Sequence, residues 1–256
     1  MDLPDGILPH LGGNPETLFS QVAERIASAI VSGAVPPGAL IPDESVLGTH
    51  VPVSRSVYRE AVKFLAGKGL IESRPRSGTR ASPVSSWNLL DPDVLRWQLR
   101  AGGNEKFIND LYELRAFIEP NVARLAAERR TPQQAEALMR AYEGMASTPP
   151  MTPENTRFDL AFHETLIDSC GNQALMCLRS MVMTTLMWAL GLQHGKTAQD
   201  YAAALADHKR VAEAVARKDG ATASAIMIVL VNDALHETLE MFRRARERHK
   251  LATAAE

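Results

Sequence analysis

From Ser54 to Arg80 the chain reads as a short capped helix followed at once by a hairpin, and few folds accept that succession. Ser54 suits an N-cap, because a serine hydroxyl there accepts a hydrogen bond from an early backbone N–H of the helix. Arg55 and Arg59 follow one turn apart and share a face, while Val57, Ala61 and Leu65 form a separate apolar stripe. Upstream, Ile41-Pro42-Asp43-Glu44-Ser45-Val46-Leu47 reads as another short helix capped by Asp43, and Thr49 to Val53 as the break between the two. Downstream, Gly69-Leu70-Ile71 leads into a strand, Arg74-Pro75-Arg76-Ser77-Gly78 into a turn, and Thr79-Arg80 into a returning strand.

Taken alone, the Ser54 helix is most plainly a solvated helix that carries two arginines. Its neighbours favour another reading, a helix-turn-helix with a basic wing. Between Arg55 and Arg80 the basic residues are Arg55, Arg59, Lys63, Lys68, Arg74, Arg76 and Arg80, against only Glu60 and Glu72, in a chain of net charge −2. Positive charge is thus concentrated where a polyanion would sit. A helix with two arginines near its N-terminus suits a DNA major groove, where Arg bonds guanine edges or grips phosphates.

At 256 residues there is room for two domains. The expected division is a flexible start over 1–14, a DNA-binding unit over 15–82, a connection with a short helix over 83–104, an all-α domain over 105–247 and a tail over 248–256. The first helix carries Leu18, Val22, Ile26 and Ile30 at four-residue intervals and ends at Gly33. In the connection, Asp91-Pro92 is a good cap and first turn for a helix that packs Trp87 and Trp97 on a domain. No alternating strand pattern follows the wing, so the fold class is mostly α, a winged helix-turn-helix plus a bundle of about six helices. Pro120 is expected to kink the first of these, and Gln173 to Gln193 to form one helix. The run Met181 to Leu192 is shorter than the roughly 20 residues a bilayer span takes. The start lacks a signal-peptide pattern, and Cys170 and Cys177 make no CxxC motif, which suggests a soluble cytoplasmic chain with both thiols reduced and mostly buried.

Within the helical half, Asp159 and His163 stand at i and i+4 and point the same way, and His208 lies on the apolar stripe Leu205, His208, Val211, Val215. A carboxylate and two imidazoles converging in a bundle suit a divalent metal ion such as Zn, Ni or Mn. The competing reading is a pair of hydrogen-bonded core histidines beside an exposed Asp159. Glu164 and Asp207 point elsewhere on their helices and are not candidates. Arg115 falls on the stripe that faces the bundle, where a guanidinium is costly without a carboxylate partner.

These pieces resemble a known family. Ile30-Val31-Ser32-Gly33, Pro37-Gly38, Ile41-Pro42-Asp43-Glu44, Val53-Ser54-Arg55, Arg59-Glu60-Ala61, Gly69-Leu70-Ile71 and Gly78-Thr79 are similar to the winged helix-turn-helix of GntR-family transcription regulators. Leu111 to Arg115, Ile118-Glu119-Pro120, Asp159, Phe162-His163, Gly171-Asn172 and the His208 helix resemble the FCD effector domain of the FadR subfamily. The resemblance implies DNA contacts from Ser54, Arg55, Ser56 and Arg59 on the helix and from Arg74, Arg76, Gly78 and Thr79 on the wing. It implies Asp159, His163 and His208 as metal ligands and Arg115 as the grip on an effector carboxylate. Two positions depart from the family pattern. Ser45 stands where an Arg is usual, and Leu230 where a fourth His ligand belongs, so the site is either three-coordinate with positions open to water and effector, or metal-free. The implied protein is a homodimeric repressor that binds a palindromic double-stranded DNA operator and is released by a small carboxylate or sugar acid of the galactonate type, with no membrane partner. The rival is a small metalloenzyme built on the same three ligands.

Overall fold

The structure, a computed structural model, describes residues 17–41, 53–74, 78–101, 104–192 and 198–253, with side chains over slightly shorter ranges. The helix expected at Ile41 to Leu47, and with it Ser45, lies outside the described residues beyond Ile41, as does Arg76. Contacts divide the chain into two compact units, Met1–Gly103 and Asn104–Glu256.

In the first unit, α1 (Leu18–Val31) is capped by the Thr17 side chain, and α2 (Arg55–Gly67) by Ser54, whose hydroxyl accepts from the Val57 amide at 3.3 Å. Strands β1 (Ile71–Arg74) and β2 (Gly78–Ala81) pair antiparallel in the register Ser73 to Thr79, and Leu40 bridges to Arg80 on the open edge of β2. Gly69 ends α2 at φ +79°, and a Cβ there would stand 2.0 Å from the Ser86 carbonyl oxygen. Only glycine meets both conditions. The helix α3 (Pro92–Arg100) starts on the Asp91 cap with Pro92 in its first turn.

The core of this unit gathers Val22, Ile26 and Ile30 from α1, Ala61 and Leu65 from α2, Leu70 and Ile71 at the hairpin, and Trp87, Val94 and Trp97 from the segment after it. Trp97 donates its indole N–H to Glu24 at 2.6 Å and Trp87 to the Ser82 carbonyl at 3.1 Å, so both rings are buried with their one polar atom satisfied.

The second unit is built of helices and short connections among its described residues: α4 (Glu105–Arg129), α5 (Pro132–Ser147), α6 (Pro153–Ser169), the single turn α7 (Gln173–Met176), α8 (Arg179–Leu192), α9 (Ala198–Ala216) and α10 (Gly220–Thr253). Thr131 and Gln134 close a reciprocal capping box on α5. The two long helices α4 and α10 lie antiparallel, tied by Glu105 to Arg243 at 2.6 Å and by a buried hydroxyl pair, Tyr112 to Thr238, at 2.7 Å.

Two expectations need correcting, and α4 continues as helix through Pro120, which leaves the Ala116 carbonyl without its intrahelical donor. The segment from Gln173 is two helices separated at Cys177-Leu178, not one. Cys170 is buried as expected, but Cys177 is exposed.

Candidate functional sites

On the first unit, Ser54, Arg55, Ser56 and Arg59 are all exposed along the first turn and a half of α2, while Ala61 and Leu65 on its other face have no exposed surface. The Ser54 and Ser56 hydroxyls lie 2.9 Å apart. On the wing, Gly78 is exposed and the Thr79 hydroxyl lies 2.9 Å from that of Ser73 across the hairpin. Arg74 is the last residue of β1. Lys68 does not belong to this surface. Its ammonium is bound by Asp91 at 2.7 Å and Asp93 at 2.8 Å, with 11% of the side chain exposed. Arg80 is likewise engaged, donating to the Gly38 carbonyl at 2.7 Å. Part of the basic charge counted in the sequence therefore holds the unit together.

In the second unit, α6 and α9 face each other and bring Asp159, His163 and His208 together, with one ligating atom from each within 4.8 Å of the others. Asp159 Oδ1 stands 3.5 Å from His163 Nε2 and 3.9 Å from His208 Nε2. Each ring is steered from behind. His208 Nδ1 lies 2.7 Å from the Ala204 carbonyl, one turn back on α9, and His163 Nδ1 lies 3.3 Å from Glu119 Oε2 on α4. A proton on each Nδ1 leaves both Nε2 lone pairs directed toward Asp159. This is the arrangement imidazole needs to ligate a metal.

The donor set fits a divalent ion: a carboxylate and two imidazoles, with Asp159 Oδ1 buried and lacking a hydrogen-bond partner. Leu230 is buried and lines the same cavity, and it offers no donor atom. Glu164 and Asp207 are engaged elsewhere, by Arg179 at 3.5 Å and by Arg210 at 2.7 Å.

Arg115 has its carboxylate, and it comes from within the chain. Its Nε donates to Glu119 Oε1 at 2.5 Å, and the guanidinium stacks on Tyr112 at 4.6 Å, with both ion-pair side chains at most 4% exposed. Burial alone would raise the Glu119 pKa, but Arg115 and His163 outweigh it and hold the carboxyl down at about 2. Burial alone would lower the Arg115 pKa, and Glu119 more than offsets that, so the pair is ionised. One nitrogen of Arg115, Nη1, remains buried without a hydrogen bond. Sequence reasoning missed Glu119 as a functional residue. Its i+4 spacing from Arg115 was the available signal.

Asp159, His163, His208 and Arg115 line a cavity of about 320 Å³, walled also by Tyr112, Asn155, Tyr201, Leu205 and Thr238. A winged-helix unit with an exposed arginine face, joined in one chain to a helical bundle around a cavity that gathers a carboxylate, two imidazoles and a guanidinium, defines a two-domain DNA-binding regulator. Residues 18–80 match the family described as bacterial regulatory proteins, gntR family, and residues 110–233 match the FCD domain. The chain is 35% identical to the uncharacterized HTH-type transcriptional regulator YieP of Escherichia coli K12 over 62% of its own length and 70% of the relative's. It is 29% identical to the galactonate operon transcriptional repressor of the same organism, over 82% of this chain and 92% of that one. A solved structure titled for Lar, which controls expression of the Listeria monocytogenes agr system, covers 89% of this chain and 99% of its own at TM-score 0.61 and 15% identity, a likeness of fold. The chain belongs to the GntR family and carries an FCD domain. It is a transcription regulator and not an enzyme, which sets the metalloenzyme reading aside. Among the described residues no helix is long and apolar enough to cross a membrane.

Proposed function

We propose that the protein is a homodimeric repressor of a carboxylate or sugar-acid catabolic operon, released from a two-fold palindromic operator by its effector. One DNA-binding unit offers few contacts, and a dimer reads two half-sites. In this reading Ser54, Arg55, Ser56 and Arg59 work on the groove, and Arg74, Arg76, Gly78 and Thr79 on the backbone beside it.

The observation that carries the effector reading is a shared wall. Asp159, His163, His208 and Arg115 line one cavity, and Arg115 Nη1 is buried without a hydrogen bond. Asp159, His163 and His208 hold a divalent ion, which supplies positive charge and open coordination positions for an anion's oxygens. Arg115, already neutralised by Glu119, offers Nη1 as a charge-assisted donor to the same carboxylate. The relative named for the galactonate operon supports a sugar acid as the effector class. Because α4, α6 and α9 all contribute, an effector held there favours one arrangement of the helices. Only such differential affinity can shift the DNA-binding units. A tenfold loss of operator affinity needs about 1.4 kcal/mol of coupling. The reading is tested by metal analysis of the purified protein together with a gel-shift titration in which sugar acids release a bound operator fragment. A metal-free protein indifferent to every carboxylate would refute it.

A further inference from the structure

Four residues before Asp159 on α6 stands Asn155, and seven before His208 on α9 stands Tyr201, and both line the cavity. Asn155 is 5% exposed. Its amide nitrogen lies 2.6 Å from the Tyr201 hydroxyl and 3.0 Å from both the Met145 carbonyl and the Thr148 hydroxyl. Tyr201 in turn donates to the Met145 carbonyl at 3.0 Å. The donors of both side chains are thereby spent on the protein. What remains for the cavity is acceptor capacity. Asn155 Oδ1 accepts no hydrogen bond among the described residues, and the Tyr201 oxygen, which donates once and accepts once, keeps a second lone pair.

We propose that Asn155 and Tyr201 form a specificity subsite that reads the distal hydroxyls of a linear polyhydroxy monocarboxylate. This rests on the effector reading above, in which the carboxylate is held at the Asp159, His163, His208 and Arg115 end. One α-helical turn, about 6 Å of rise, separates Asn155 from Asp159 along α6. That is the distance from the carboxylate of an extended sugar acid to hydroxyls three or four carbons away, and too far for a two- or three-carbon acid. Acceptors without free donors select ligand groups that bring their own hydrogens, as hydroxyls do. A ligand lacking them leaves buried acceptors unpaired, which is where discrimination arises.

The experiment uses full-length zinc-loaded protein and three probes in calorimetric titration: gluconate, lactate, and hexanoate, which has the length but no hydroxyls. The expected result is that gluconate binds at least tenfold tighter than either of the others. Tyr201→Phe keeps the ring and removes the hydroxyl, and it should lower gluconate affinity about tenfold while zinc content and lactate affinity stay unchanged. Asn155→Ala should do the same, and Tyr201→Phe keeps the test valid if the Asn155 variant fails to fold. Equal binding of gluconate and lactate by the wild type, binding of hexanoate as tight as that of gluconate, or an unchanged gluconate-to-lactate ratio in Tyr201→Phe would overturn the subsite alone. Failure of the wild type to bind any carboxylate would instead overturn the effector reading, and the subsite with it.

Discussion

His163 Nδ1 stands 3.3 Å from Glu119 Oε2, so one carboxylate on α4 steers the imidazole on α6 while its other oxygen takes the Arg115 guanidinium at 2.5 Å. Glu119 thus joins the proposed ligand set to the proposed carboxylate grip, and both depend on it. Glu119→Gln keeps the shape and removes the charge, leaving Arg115 buried without a counter-ion. The expected outcome is destabilisation by about 3–5 kcal/mol in urea unfolding. Metal affinity should fall roughly 10- to 100-fold, as when other groups that orient a ligating imidazole are lost. Wild-type stability and metal content in the variant would show that Glu119 supports neither.

Arg59 is exposed on the face of α2 opposite the buried Ala61 and Leu65. Arg59→Ala should leave the melting temperature unchanged and weaken operator binding by about 1–3 kcal/mol. A gel-shift titration at fixed salt decides this, and unaltered affinity would remove α2 from the groove.

Lys68 should behave in the opposite way. With its ammonium between Asp91 and Asp93, Lys68→Ala is expected to destabilise the first unit by about 1.5–3 kcal/mol, the range for hydrogen bonds to charged groups. The salt dependence of DNA binding should not change, whereas losing a phosphate contact lowers the log–log slope by about 0.9. A reduced slope would place Lys68 on the DNA after all.

The contrast between Arg59 and Lys68 shows what the sequence could reveal. Helices announce themselves locally, through caps such as Ser54, Asp91 and Thr131 and through apolar spacing, so the mostly α class and the winged hairpin were legible. So was the shared face of Asp159 and His163, because i and i+4 spacing fixes it whatever surrounds the helix. The pairing of Lys68 was not, since Asp91 and Asp93 lie more than twenty residues on and reach it only through the packing of α3 on the first unit. Arg115 was correctly expected to face inward and need a carboxylate, and the resemblance supplied the effector's. The partner present is Glu119, and its second role toward His163 depends on how α6 crosses α4, a relation no local pattern encodes. The break at Cys177-Leu178 escaped notice because the apolar residues run on through it.

The segment from Asn104 to the C-terminus has its own contacts and its own polar ties between α4 and α10. Expressed alone it should be helical, cooperatively folded and dimeric. Sedimentation at micromolar concentration measures this, and a folded monomer would show that the proposed homodimer does not pair through this domain alone.

The central claim is that Asp159, His163 and His208 hold a metal through which a carboxylate effector releases DNA. Its most direct test is His163→Ala and His208→Ala, each assayed for bound metal and for effector-induced release of an operator fragment. Both variants should lose the metal, still bind operator, and fail to release it at effector concentrations that clear the wild type. If both release operator at wild-type effector concentrations, the metal-site account is wrong, and the two histidines are ordinary residues of the core.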